Sequence, residues 1–265
     1  MDLSKDETTD VAVVVPTLGQ RPDYLIECLR SIRVAGKSII CIVAPPSADL
    51  SEVESLGLID QKVDDPKTGL PAAINFGFQS LPSNIKYIAW LGDDDLLEPS
   101  SITKTSALLR SDERASAVFG QCHYIDPSGH RILTNASGKW AVPLISFGPD
   151  LIPQPGSLMR RSAFDAFGGL RTDLGWAFDV DLFINLKKQG KIRYLKEPLA
   201  SFRWHPESLS VGQRHGSVRE ASQVRVEYLP KVLRKVSVLW EPPLRWATLK
   251  AGAALNNRAL QKGNL

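Results

Sequence analysis

Five consecutive apolar residues, Val11-Ala-Val-Val-Val15, run directly into Pro16. A strand with one wet face alternates apolar and polar side chains, so an unbroken run predicts a strand covered on both faces, as in a parallel sheet. Ser38 to Val43 and Lys86 to Leu91 repeat the pattern. Between the first two, Tyr24, Leu25, Cys28, Leu29 and Ile32 recur at the spacing of an amphipathic helix opening at Pro22-Asp23. Leu70 to Gln79 and Ser100 to Leu109 read as further helices. Ala115 to Ile125, Lys191 to Leu195 and Leu199 to Trp204 read as further strands. This alternation predicts an α/β fold, a mostly parallel sheet flanked by helices, with ligands at the carboxyl ends of the strands. The loops after Val15, Val43 and Leu91 are where chemistry is expected.

The chain's 265 residues, 43% of them apolar, suffice for a core without staples. Cys28, Cys41 and Cys122 form neither a disulfide framework nor a zinc pattern, which fits a reducing compartment. The first residues, MDLSKDETTD, lack the basic start and apolar stretch of a secretory signal. No run reaches the roughly 18 apolar residues that span a bilayer. A cytoplasmic protein is expected, in which the sequon Asn135-Ala-Ser137 has no consequence.

Charge is uneven. From Ser217 onward nine basic residues face three acidic ones, a net +6, so the first 216 residues carry −3. Beyond Gly212 the pattern is helical: Leu229, Val232, Leu233, Val236 and Trp240 form one apolar stripe, Pro242-Pro243 breaks it, and Leu244 to Leu260 offers another helix. The expected organisation is a main domain over 1–216 and a basic helical extension over 217–265. With Lys231, Arg234, Lys235 and Arg245 beside Trp240 and Trp246, the extension suits the inner face of an anionic membrane. The alternative is a helical pair packed on the domain or in a homodimer. Nucleic acid is not an expected partner, because the positive charge is confined to the tail and no recognised motif accompanies it.

Trp90-Leu91-Gly92-Asp93-Asp94-Asp95 places three carboxylates directly after a predicted buried strand. They repel one another unless solvated or bound to a cation, and hard carboxylate oxygens suit Mg²⁺ or Mn²⁺. A solvated turn with one Asp capping the next helix is the alternative. Around this cluster lie Pro16-Thr17, the segment Gly69-Leu-Pro-Ala-Ala-Ile-Asn75-Phe-Gly77, the acidic pair Asp179 and Asp181, and Arg203-Trp204-His205.

In the order of these motifs, residues 10 to 212 resemble the family 2 glycosyltransferases of the GT-A fold. The resemblance implies inverting transfer of a sugar from a nucleotide-diphosphate donor, UDP- or dTDP-linked, to a sugar or lipid-linked acceptor, with Mn²⁺ or Mg²⁺ on the diphosphate. It implies donor contacts from Pro16, Thr17, Arg21, Asn75, Asp93 and Asp94. Asp94, Asp95 and His205 are the implied metal ligands, with the register Asp93-x-Asp95 or Gly92-x-Asp94 left open. Acceptor contacts are expected from Gln154, Ser157 and Trp176.

The base is argued from helical geometry. In a helix from Phe178 to Gln189, Phe178, Leu182, Phe183 and Leu186 form the core face; Asp179 falls within it, whereas Asp181 points away with Asn185 and Lys188. Asp179 is the first candidate for the general base and Asp181 the second, helix capping being the structural alternative. Two departures from the family stand out: Ala44-Pro45-Pro46-Ser47 replaces the Asp that reads the base, and Ile74 replaces an Arg. Asp64 or Asp65 with Lys67 is expected to take over base recognition. A catalytically silent sugar-nucleotide binder is the competing reading.

Overall fold

The computed structural model describes residues 9–204 and 214–262. The chain begins β1 (Val11–Pro16), α1 (Pro22–Ala35), β2 (Ile39–Ala44), α2 (Ser51–Ser55) and β3 (Gln61–Asp64). It continues with α3 (Leu70–Ser80), β4 (Tyr87–Trp90), β5 (Leu96–Leu97), α4 (Ser101–Ser111), β6 (Ala115–Ile125) and β7 (Arg131–Asn135). Then come α5 (Ala141–Leu144), β8 (Leu158–Arg160), α6 (Arg161–Asp165), α7 (Phe178–Gln189) and β9 (Lys191–Arg203). Three helices follow: α8 (Arg214–Tyr228), α9 (Lys231–Val236) and α10 (Glu241–Lys262).

The described strands form one sheet in the order β3-β2-β1-β4-β8-β6-β9-β5, with β7 paired to β6. Strands β3, β2, β1 and β4 are mutually parallel, and β6 runs parallel to β9. Strand β8 is antiparallel to both β4 and β6 and joins the two parallel blocks. The apolar run of β1 is explained by parity. Val11, Val13 and Val15 pack with Leu25, Leu29, Ile32 and Ile102 of α1 and α4 on one face. Ala12 and Val14 pack with Ile74 and Phe78 of α3 and Phe183 and Leu186 of α7 on the other. Each fully buried Val, Leu, Ile or Phe side chain of this kind contributes about 1.5–3 kcal/mol. Gly77 lets α3 approach closely, since a Cβ there would lie 2.6 Å from Val14 and 2.8 Å from Val43.

Lys191 to Leu195 and Leu199 to Trp204, expected as two strands, are joined in the single strand β9, which ends at Arg203; register slips near Ala115, Phe119 and Gln121 of β6 accompany Pro198 inside it. The division at 216/217 falls within α8, whose Val224 is fully buried in the α3–α7 core. Pro242 and Pro243 open α10 instead of interrupting a helix, as expected of residues that need no intrahelical N–H partner there. The tail is fastened by a buried ion pair between Arg225 of α8 and Glu241 of α10, at 3.0 Å. Of the stripe at residues 229–240, Leu229 is buried and Trp240 half-buried, whereas Val232, Leu233 and Val236 are exposed.

Candidate active site

The order β3-β2-β1-β4 makes the crevice beyond β1 a switch point, with connections leaving to β2 on one side and arriving at β4 on the other. Thr17 continues β1 by donating its N–H to Val43 O (2.9 Å), and Leu91 continues β4 by donating to Val14 O (3.0 Å). The two loops therefore leave the sheet side by side. The Thr17 hydroxyl donates to Asp93 Oδ2 at 2.6 Å. Arg21, at the entrance to α1, donates to Asp93 Oδ1 at 2.8 Å and to Asp94 Oδ2 at 3.0 Å. Burial raises the Asp93 carboxyl above its ordinary value even though Thr17 and Arg21 pull it down. Thr17, Arg21, Asp93 and Asp94, four of the residues picked from sequence, are thus one cluster.

Asp95 is held by β9. It is buried and its Oδ1 accepts the backbone N–H of Arg203 at 2.9 Å. Burial and the neighbouring Asp94 push its carboxyl well up. Asp95, an expected metal ligand, thus anchors the loop to β9 through one of its two carboxylate oxygens. Arg203, only 2% exposed, completes the anchor. Its Nε donates to Asp94 O (2.9 Å), one terminal nitrogen to Pro127 O (2.8 Å) and the other to Glu27 Oε2 (2.7 Å), and its plane lies 4.2 Å from the Tyr24 ring. The sequence motif contains Arg203 without assigning it a role; it ends β9 directly after Leu199-Ala-Ser-Phe202, and only the fold shows that it is buried. A Cβ at Gly92 would lie 2.9 Å from Asp94 Oδ1, so a side chain there would displace that carboxylate.

Among the described residues, no three His, Cys, Asp or Glu side chains are grouped to cage a metal ion. The two carboxylates at the crevice nevertheless suit Mg²⁺ or Mn²⁺, which commonly take one or two protein carboxylates and fill the remaining positions with water and substrate phosphate oxygens.

Asp179 lies in the first turn of α7, next to Phe178, whose ring is 6.2 Å from that of Trp90 at the end of β4. Its carboxyl is held at about 6, chiefly by burial; N–H bonds from Val180 and its own backbone lower it, and the charge of Glu220 raises it. Asp150, missed in the sequence because an Asp in a Gly-Pro-Asp loop carries no pattern, is pushed well up by burial and by Asp179. Glu220 of α8 accepts N–H bonds from Gly175 (3.0 Å), Trp176 (2.7 Å) and Ala177 (2.7 Å), so the tail caps the approach to α7. Asp181 is not solvated as the helical projection expected. It is 1% exposed and accepts hydrogen bonds from Tyr228 of α8 (2.6 Å) and Asn185 (3.2 Å). The projection failed because α8 covers that face, and Asp181 fastens the two helices together instead of facing an acceptor.

Other expected contacts are engaged within the chain. Asn75, an expected donor contact, donates to Leu170 O and accepts from Leu170 N (2.8 and 2.9 Å). Gln154 donates to Trp90 O at 2.9 Å and the Ser157 hydroxyl to Pro153 O at 2.7 Å, so both brace backbone. Trp176 rests against Gly216, and its buried indole N–H has no partner among the described residues. Pro16 ends β1 opposite Val43. Asp65 accepts the N–H of Lys67 (2.8 Å), which holds Lys67 at φ 58 in the loop after β3. His205 lies outside the described residues.

The sheet order and the paired loops define the fold as that of the GT-A-type glycosyltransferases, mixed α/β with helices on both faces. The chain is similar to S. aureus TarS, with a TM-score of 0.60 and 14% identity over 87% of this chain and 42% of TarS. It thus spans about two fifths of that relative. TarS 1–349 in complex with UDP matches with a TM-score of 0.59 and 15% identity, over 85% of this chain and 68% of that one. The mannosyltransferase PcManGT from Pyrobaculum calidifontis, in complex with GDP-Man and Mn²⁺, gives 0.58 and 15% over 92% and 75%. No protein-family model and no curated protein matches the sequence.

Proposed function

We propose that the chain is a glycosyltransferase that moves a sugar from a nucleotide-diphosphate donor to an acceptor hydroxyl with inversion. The observation that carries this reading is the Arg21 bridge to Asp93 and Asp94 at the switch point of a GT-A-type sheet. The complexes of the structural relatives with UDP and with GDP-Man and Mn²⁺ support a donor of this class. In this reading the donor is UDP- or dTDP-linked and the acceptor is a sugar or a lipid-linked sugar.

Asp94, with Asp93 beside it, would hold Mg²⁺ or Mn²⁺. When bound, such an ion offsets the negative charge that gathers on a departing diphosphate. Thr17 and Arg21 orient Asp93 and oppose the burial that raises its carboxyl, and Arg203 keeps the loop from collapsing. Arg21 adds a guanidinium suited to phosphate oxygens. Asp179 takes the proton of the acceptor hydroxyl; a carboxyl held at about 6 is ionised at neutral pH and more basic than an ordinary aspartate.

The test is incubation of the full chain with UDP-, dTDP- and GDP-sugars, Mn²⁺ and a panel of glycoside acceptors, following nucleotide release and the anomeric configuration of the product by NMR. A product with inverted configuration is expected. A retained anomer would overturn the single-displacement step, and binding without release for every donor would favour the silent binder.

A further inference from the structure

The surface of α9, α10 and the single turn joining them, Ser237–Leu239, combines two features seldom left to water together. Val238 and Leu239 at the turn are 69% and 75% exposed, Val232 on α9 is 76% exposed, and Trp246 on α10 is 64% exposed. Around them Lys231, Arg234, Lys235 and Lys250 are exposed, and the Lys250 ammonium lies 5.8 Å from the Trp246 ring. From Leu229 to the last residue Glu241 is the sole acid, and it is buried against Arg225. The described surface of these helices is therefore apolar and positive, with no exposed carboxylate.

We propose that this face docks on an anionic lipid bilayer. Large apolar side chains enter the boundary between headgroups and acyl chains while long cationic ones stay at the phosphate level, and Trp suits that boundary. No helix among the described residues is long and apolar enough to cross a membrane, so the face lies on the surface. A second copy of the chain is disfavoured by the same charge pattern, because an isologous contact would set Lys231, Arg234 and Lys235 near their own copies with no acid to offset them. The face is not loosely tethered. The Arg225–Glu241 pair, buried Leu229 and the hydrogen bond from Arg234 to Glu227 O (2.7 Å) fix it to α8, so docking would orient the whole domain. The inference holds whether or not the crevice transfers sugar.

The experiment is cosedimentation of the full chain with vesicles of phosphatidylcholine alone and with part of it replaced by phosphatidylglycerol, at low and high salt, with light scattering of the free protein. Binding is expected only to the anionic vesicles and should weaken with salt. Lys231→Gln with Lys235→Gln is expected to weaken it about 30-fold, each cation near an anionic surface being worth about fivefold. Val238→Ser with Leu239→Ser should weaken it on the order of tenfold or more. All four side chains are exposed, and circular dichroism checks that both variants stay folded. No binding to anionic vesicles, or equal binding to neutral ones, would overturn the proposal. So would a dimer that Val238→Ser with Leu239→Ser turns into a monomer, which would make the face a self-interface.

Discussion

Replacing Asp179 with Asn separates what the proposed base costs the fold from what it does for chemistry. Burial holds its carboxyl at about 6 against an ordinary value of 3.8. Because the native value is the higher one, the unfolded chain releases this proton first as pH rises. Stability is therefore lost progressively between the two values, and the full cost is present above the native one. A shift of about two units corresponds to about 3 kcal/mol. Asn stays neutral at every pH, and its side-chain oxygen can accept the same N–H bond from Val180 that Asp179 accepts at 2.8 Å. Asp179→Asn should thus stabilise the protein by on the order of 2–3 kcal/mol near pH 8, and by well under 1 kcal/mol near pH 4. Urea denaturation at the two pH values measures the difference, and a transfer assay on the same preparation should show activity lost. A variant no more stable than wild type at high pH, or a gain that does not change with pH, would refute the reasoning.

Two further perturbations test the supports of the site. Glu220→Gln removes a charge that raises the Asp179 carboxyl, so the acid limb of the pH–rate profile should move to lower pH. Its three N–H bonds to residues 175–177 weaken, at a cost of about 1–3 kcal/mol in denaturant unfolding; an unmoved acid limb would leave Glu220 a structural cap alone. Arg203→Ala leaves the carbonyls of Asp94 and Pro127 without their donor and should cost about 3 kcal/mol, read by denaturation, along with nucleotide affinity. Unchanged affinity would show that the acidic loop holds its shape without Arg203.

Local pattern carried much of the fold. Continuous apolar runs marked β1, β2 and β4, and the helical spacing of Leu25, Cys28, Leu29 and Ile32 marked α1, because each of these elements buries the residues that define it. Strand β3, Gln-Lys-Val-Asp, was missed because it is polar and lies at the sheet edge, and β8 because three residues carry no period. In the candidate site, Thr17, Asp93 and Asp94 follow the ends of β1 and β4 and Arg21 precedes α1, positions that the order of motifs singled out. What escaped the sequence was who covers whom. Asp181 looked solvated because a helical projection sees only its own helix, and α8, distant in sequence, closes over it with Tyr228. Asn75 looked like a ligand contact, yet a loop 95 residues away takes both ends of its amide. Asp150 and Glu220 acquire their places by tertiary packing alone.

The central claim is that the Thr17–Arg21–Asp93–Asp94 cluster is the metal-assisted binding site of a nucleotide diphosphate. Calorimetric titration of UDP, dTDP and GDP into wild type and Asp94→Ala, each with and without Mn²⁺, tests it most directly. Binding of one nucleotide that requires Mn²⁺ and is lost in Asp94→Ala is the predicted result. Failure of all three to bind wild type with Mn²⁺ present, or binding that Asp94→Ala leaves intact, would contradict it.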